Sequence, residues 1–158
     1  MTPKCIRDLA QLDLFAGCGR TTLGHIDRLG CTLDVDPGRL LCRQGATGEE
    51  FFVLENGVVD VRTADGTFAV MYPGAWFGEA ALTDGNLRRA TVRTRSPARL
   101  LVFSRREFRS LLDAAPGVRE RVSETAARVI AGNAPTDAPW YRPLAAHAQY
   151  LDDLAAAG

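Results

Sequence analysis

The 158-residue sequence predicts an α+β fold that is mainly β: an antiparallel β-roll, or jelly-roll, with helices before it and helices packed on it afterwards. Three observations carry that expectation. Short β-type runs recur at regular spacing: Phe51–Leu54, Val58–Val61, Phe68–Met71, Ala90–Val92 and Leu100–Phe103. Turn signals such as Asn56-Gly57 and Asp65-Gly66 separate them, and those residue types tolerate the positive φ of tight hairpins. No helix-length segment lies between the runs, so a parallel sheet would lack its crossovers. Many short strands in that arrangement favour a closed roll or barrel.

The elements follow in order. From Pro3 to Leu29, Ile6, Leu9, Leu12, Leu14, Phe15, Leu23, Ile26 and Leu29 recur at helical spacing, broken by Gly17 and Gly19. Two short helices joined by a glycine-rich turn are expected over 3–29. The β-roll is expected over 31–104, punctuated also by Asp36-Pro37-Gly38, Pro73-Gly74, Asp84-Gly85-Asn86 and Ser96-Pro97. Ser104 then stands three residues before Glu107, the spacing of an N-cap and its capping-box partner. Phe108, Leu111 and Leu112 give a helical face, interrupted by Pro116-Gly117. Val118, Val122, Ala126, Val129 and Ile130 give a second helix of about four turns, stopped near Gly132. One domain is thus expected over 1–134, its last helices within 104–132, and a Pro/Ala-rich tail with a short helix over 135–158.

Composition narrows the function classes. Formal net charge is zero, which does not indicate a general grip on nucleic acid or an anionic membrane. No apolar run approaches the 18 or so residues of a membrane span, and no signal-peptide core is visible, so a cytoplasmic protein is expected. Cys5, Cys18, Cys31 and Cys42 form no Cys-x-x-Cys pair and are expected to be reduced, mostly buried thiols. His25 and His147 are isolated and the β-region has no histidine, so no metal is expected. No Ser-His-Asp or Cys-His set is evident, and no enzyme is expected.

The chemistry concentrates between Pro73 and Val92. A strand ends at Pro73-Gly74; Phe77-Gly78-Glu79 follows, then one helical turn at Ala80-Ala81-Leu82, a loop, and two arginines leading into the next strand. A short helical turn beside a glycine presents backbone N–H groups to an anion. Arg88 supplies a bidentate partner for phosphate. Glu79 would be repelled by phosphate and suits a sugar hydroxyl instead. Gly78 lets a ligand approach the backbone. These residues describe a site for a small phosphorylated sugar.

Phe77-Gly78-Glu79-Ala80-Ala81-Leu82, five residues, then Arg88-Arg89-Ala90-Thr91-Val92 closely resembles the phosphate-binding cassette of cyclic-nucleotide-binding domains, as in cAMP-dependent kinase regulatory subunits and the catabolite-activator family. Gly45, Gly57, Gly66 and Gly74 stand where that β-roll has its turn glycines, and the resemblance covers about Leu12 to Ile130. It implies a non-catalytic regulatory module whose ligand, cAMP, acts on the helices after Ser104. Glu79 would accept the ribose 2′-hydroxyl proton and Arg88 would pair with the cyclic phosphate. Backbone N–H groups around Ala80, Ala81 and Arg89-Ala90 would complete the phosphate shell, with Gly78 leaving room for the ligand. Val61 and Met71 would line the nucleoside pocket, and Asp60 would brace the phosphate arginine. Ala80 replaces the family's usual leucine or isoleucine, and Arg89 replaces its usual Ser, Thr or Ala. Guanine-specific sites often carry threonine there, which favours cAMP over cGMP.

Other readings stand beside this one. Glu79 and Arg88 could be an internal ion pair in a vestigial, ligand-free roll that serves as an interaction or scaffold module. A cupin-like metal enzyme on a similar roll would need the histidines that are missing. Arg105, Arg106, Arg119 and Arg121 read as solvated helix faces. Trp76 reads as packing, while Trp140, Tyr141 and Tyr150 suit either tail packing or an aromatic lid over the base. After Ile130 no helix-turn-helix is legible, so direct DNA binding is not expected; a protein partner or a homodimer is.

Overall fold

The computed structural model describes residues 9–84 and 87–157. The first part of the 3–29 helical region, with Cys5 and Ile6, and Gly85-Asn86 of one expected turn lie outside the described residues.

The chain enters through a 3-10 turn at Asp13–Phe15 and helix α1 at Arg20–Leu29, which buries Leu23 and Ile26. Strands β1 (Cys31–Val35), β3 (Glu50–Asn56), β6 (Trp76–Phe77) and β8 (Ala98–Ser104) form one antiparallel sheet in the order β1-β8-β3-β6. The second sheet contains β2 (Leu40–Cys42), β4 (Val59–Arg62), β5 (Phe68–Met71), β7 (Thr91–Thr94) and β9 (Tyr141–Pro143), ordered β2-β7-β4-β5-β9. The expected β-roll is therefore present, with all five sequence-predicted runs in it. Gly45, Gly57, Gly66 and Gly74 all have φ between +85° and +101°, as their turns require.

One apolar core joins both sheets and the helices. Four consecutive buried residues, Phe51 to Leu54, show that β3 is covered on both faces. Phe52 stacks on Phe77 of β6 at 5.0 Å, while Phe51 meets Phe108 at 4.7 Å. Phe108 belongs to α3 (Arg105–Ala114), which starts with the expected capping box: Glu107 N donates to Ser104 Oγ, and Ser104 N to Glu107 Oε1. Helix α4 (Pro116–Ile130) carries proline in its first turn and buries Val118, Val122 and Ala126. Two arginines depart from the solvated-face reading. Arg121 donates to the carbonyls of Leu14 and Ala16, tying α4 to the N-terminal turn, and Arg105 donates to Gly48 O.

The segment after α4 holds the expected helix, α5 at His147–Ala157, behind a 3-10 turn at Leu144–Ala146. It also holds a strand with no sequence signal: β9 pairs with β5, Met71 opposite Tyr141. Three residues ending in proline show no period-2 alternation. An edge position accepts a proline because one side of the strand has no partner to bond. Among the described cysteines, Cys42 is buried, Cys18 half-buried and Cys31 exposed, so the expectation of mostly buried thiols holds for one of the three.

Candidate functional site

Glu79 and Arg88, together with Thr94, are the buried polar or charged side chains among the described residues. Thr94 is fully engaged: it accepts from Arg39 N and donates to Asp36 O. The other two line one cavity of about 110 Å³ between β-roll and helices.

Arg88 reaches that cavity by a fixed route. Its N–H donates to Ala46 O and its carbonyl accepts from Gly45 N, so the residue is anchored to the turn after β2. Its guanidinium is held by main-chain oxygens, NH1 donating to Gly78 O at 3.0 Å and NH2 to Glu50 O at 2.7 Å. Phe52 lies beneath it, 5.9 Å from ring centre to guanidinium. Two of its five N–H donors are thereby engaged, and among the described residues no carboxylate stands in ion-pair contact with the planar group.

Two glycines make room for this. Gly78 has φ +96°, and a Cβ there would stand 2.7 Å from Glu50 O and 2.8 Å from Arg88 NH1. At Gly48 a Cβ would meet Ala81 Cβ at 2.6 Å and Arg88 Nε at 2.9 Å. Gly48 is not in the cassette, and no spacing rule marks it. A Gly48→Ala variant is expected to displace the guanidinium, with a stability loss of about 1–3 kcal/mol, as overpacking typically gives; urea unfolding measures it.

Glu79 opens α2 (Glu79–Asp84), whose last turn is tied back by Thr83 Oγ1 donating to Glu79 O. The residue is 3% exposed, and its Oε2 has no hydrogen-bond partner among the described residues. Burial pushes its pKa up to about 7, against the lowering effects of a backbone hydrogen bond and of Arg88. Burial likewise pushes the Cys42 thiol up to about 11, so it is neutral at pH 7.

Gly78, Ala80, Ala81, Arg89 and Ala90 all line the same cavity, Arg89 as an exposed residue of its wall. Val61 and Met71 line its apolar half, joined by Val92. Asp60 is placed elsewhere: its carboxylate accepts from Arg95 Nε at 2.6 Å, and it is not on the cavity wall. The bracing role expected for it falls to the carbonyls of Glu50 and Gly78. Alternation explains this, since Val61 points inward from β4 and its neighbour Asp60 therefore points away. Trp76, Thr125, Val129, Pro135, Trp140 and Tyr141 also form part of the wall. Sequence reasoning singled out the aromatic ones without placing them, and Thr125 and Val129 arrive because α4 packs on α2. Among the described residues no group of three or more His, Cys, Asp or Glu could hold a metal ion. Among the described residues no helix is long and apolar enough to cross a membrane.

Fold and site together define a β-roll domain whose cavity carries one buried guanidinium and one buried carboxyl. The family model for the cyclic nucleotide-binding domain matches residues 32–115, and the chain belongs to that family. It is 33% identical, over 75% of its length, to a cyclic nucleotide-gated potassium channel of Mesorhizobium japonicum, covering 33% of that protein. It is 34% identical, over 78% of its length, to the acetyltransferase Pat of Mycolicibacterium smegmatis, covering 38% of it. The chain thus spans about a third of these relatives. Its fold is similar to that of the regulatory domain of Toxoplasma gondii PKA with cAMP, at TM-score 0.67 and 21% identity, over 77% of this chain and 48% of that one.

Proposed function

We propose that this chain binds cAMP in the cavity between Glu79 and Arg88 and relays its occupancy through α4 to a protein partner or a second copy of the chain. The observation that carries the reading is the buried Glu79 Oε2, which has no hydrogen-bond partner among the described residues and faces the same cavity as an arginine held by the carbonyls of Gly78 and Glu50. Leaving both without a ligand is costly. A cyclic nucleotide answers both, its phosphate pairing with Arg88 and its ribose hydroxyl donating to Glu79. The N–H groups of Ala80, Ala81, Arg89 and Ala90 would close the phosphate shell. The base would lie among Val61, Met71, Val92, Val129 and Tyr141. Such a wall desolvates fewer polar groups of adenine than of guanine, which favours cAMP.

The relay rests on contact. Helix α2 packs directly on α4, so a ligand that tightens α2 against Arg88 can favour one position of α4, provided it binds that arrangement better. A closed Glu79–Arg88 ion pair, the basis of a ligand-free scaffold, has no support in a guanidinium turned to carbonyls.

Thermal melts test the binding. At 100 times the dissociation constant, cAMP is expected to stabilise the protein by about 2.7 kcal/mol, raising the midpoint by several degrees. The same concentration of cGMP is expected to raise it less. An unmoved midpoint at millimolar cAMP refutes the proposal, and equal shifts refute the adenine preference.

A further inference from the structure

The segment after α4 crosses the cavity and is fastened on its far side. Pro135, Trp140 and Tyr141 form part of the cavity wall. Three contacts hold them there. Tyr141 pairs with Met71 in the β9–β5 ladder. Tyr72 N donates to Trp140 O at 2.9 Å. The Trp140 ring lies 4.9 Å from the Trp76 ring. Beyond the cavity, the Tyr72 hydroxyl is 2.9 Å from His147 Nδ1, and the Tyr72 ring stacks on Tyr150 at 3.7 Å. Tyr72 itself is 3% exposed and is not on the cavity wall.

These contacts have a particular distribution. Two of the residues that carry them, Tyr72 and Trp76, flank the Pro73-Gly74 turn immediately before the cassette. The covering segment is therefore fastened to the chain that leads into Gly78 and Glu79. A three-residue edge strand has little stability of its own. What keeps it seated is the pair of aromatic clasps, one on each side of β9.

We infer that the Tyr72–His147–Tyr150 cluster is a latch that fastens the 135–150 segment, the strap, against β5 over the cavity and slows ligand release. This rests on the binding proposed above. Tyr72 acts as a positioning residue: it touches the strap, and the strap touches the ligand. With the latch closed, the cavity is covered from β5 to α4, and a bound base leaves only when β9 lifts from β5. Without the hydroxyl, the strap is held by the ladder and the tryptophan pair alone.

The experiment uses the full chain carrying Tyr72→Phe, His147→Ala or both. Tyr72→Phe keeps the ring that packs on Tyr150 and removes the hydroxyl. Hydrogen exchange without nucleotide reads the latch directly. The amide of Tyr72, which donates across to Trp140 O, is expected to exchange about fivefold faster in each variant, as loss of one hydrogen bond gives, with no further gain in the double variant. Release of a fluorescent cAMP analogue is expected to accelerate by the same factor, with association unchanged. The only two tryptophans, Trp76 and Trp140, supply an intrinsic fluorescence signal for the same opening. Unchanged exchange overturns the latch. Faster exchange with unchanged release overturns the gate, and so does a lowered melting midpoint with both rates unchanged. Absence of analogue binding by the unsubstituted chain refutes the proposed ligand, and the exchange measurement still decides the latch.

Discussion

Arg88→Ala is expected to weaken cAMP binding at least about 30-fold, or roughly 2 kcal/mol, because it removes a charge-assisted pair with the phosphate. The geometry makes this the largest single loss at the site. Arg88 is 7% exposed, so its charge acts in a region little screened by water. Its orientation is prepared in advance by Gly78 O and Glu50 O, so the guanidinium does not have to be ordered when the ligand arrives. Arg88→Lys is expected to recover little. An ammonium is a point charge without the fork that bridges two carbonyls and a phosphate. Isothermal titration measures both variants, and wild-type affinity in Arg88→Ala would remove the phosphate assignment. The unliganded variant leaves two carbonyls without their donor, so its melting midpoint is expected to fall as well. Comparing binding with the midpoint separates loss of the ligand contact from loss of the fold.

The sequence made the middle of the molecule legible and its ends less so. Strands β3, β4, β5, β7 and β8 carry runs of buried apolar residues between turn signals, and both signals are local. Glu79 and Arg88 were visible because burial of two charged residue types around a glycine turn has few structural purposes. The resemblance carries a residue type to Asp60, whereas alternation along β4 turns that side chain to Arg95 and away from the cavity. Strand β9 was invisible because an edge strand of three residues is selected by its partner, Phe68–Met71, and not by its own pattern. Gly48 was invisible for a related reason: its role is the absence of a Cβ beside Arg88, which only the fold reveals. The strap contacts pair Tyr72 with His147 and Trp76 with Trp140, separations at which a sequence holds no local signal.

Glu79→Gln is expected to stabilise the empty protein above neutral pH while weakening its grip on the nucleotide. The sign follows from the direction of the shift. Burial raises the folded-state pKa of Glu79 to about 7, from 4.5. Below the unfolded value both states hold the proton, and folding bears no cost from the charge. Between the two values the unfolded chain releases its proton first, so stability falls as pH rises, and above about 7 the loss is complete. Each pKa unit corresponds to about 1.4 kcal/mol, which puts the whole loss on the order of 3 kcal/mol. Glutamine fills the same space without a charge to desolvate. The difference between variant and wild type is therefore expected to be small at pH 4.5 and to grow in the variant's favour up to pH 8. Urea unfolding across that range measures it, and parallel pH profiles would contradict the burial cost. Binding moves the other way. A carboxylate accepts the ribose hydroxyl more strongly than an amide oxygen does, so the variant is expected to bind cAMP about tenfold more weakly at pH 8. A residue that costs stability in the empty fold and returns it only with ligand is retained for the ligand, and a variant that gains stability without losing affinity would show that Glu79 has no such role.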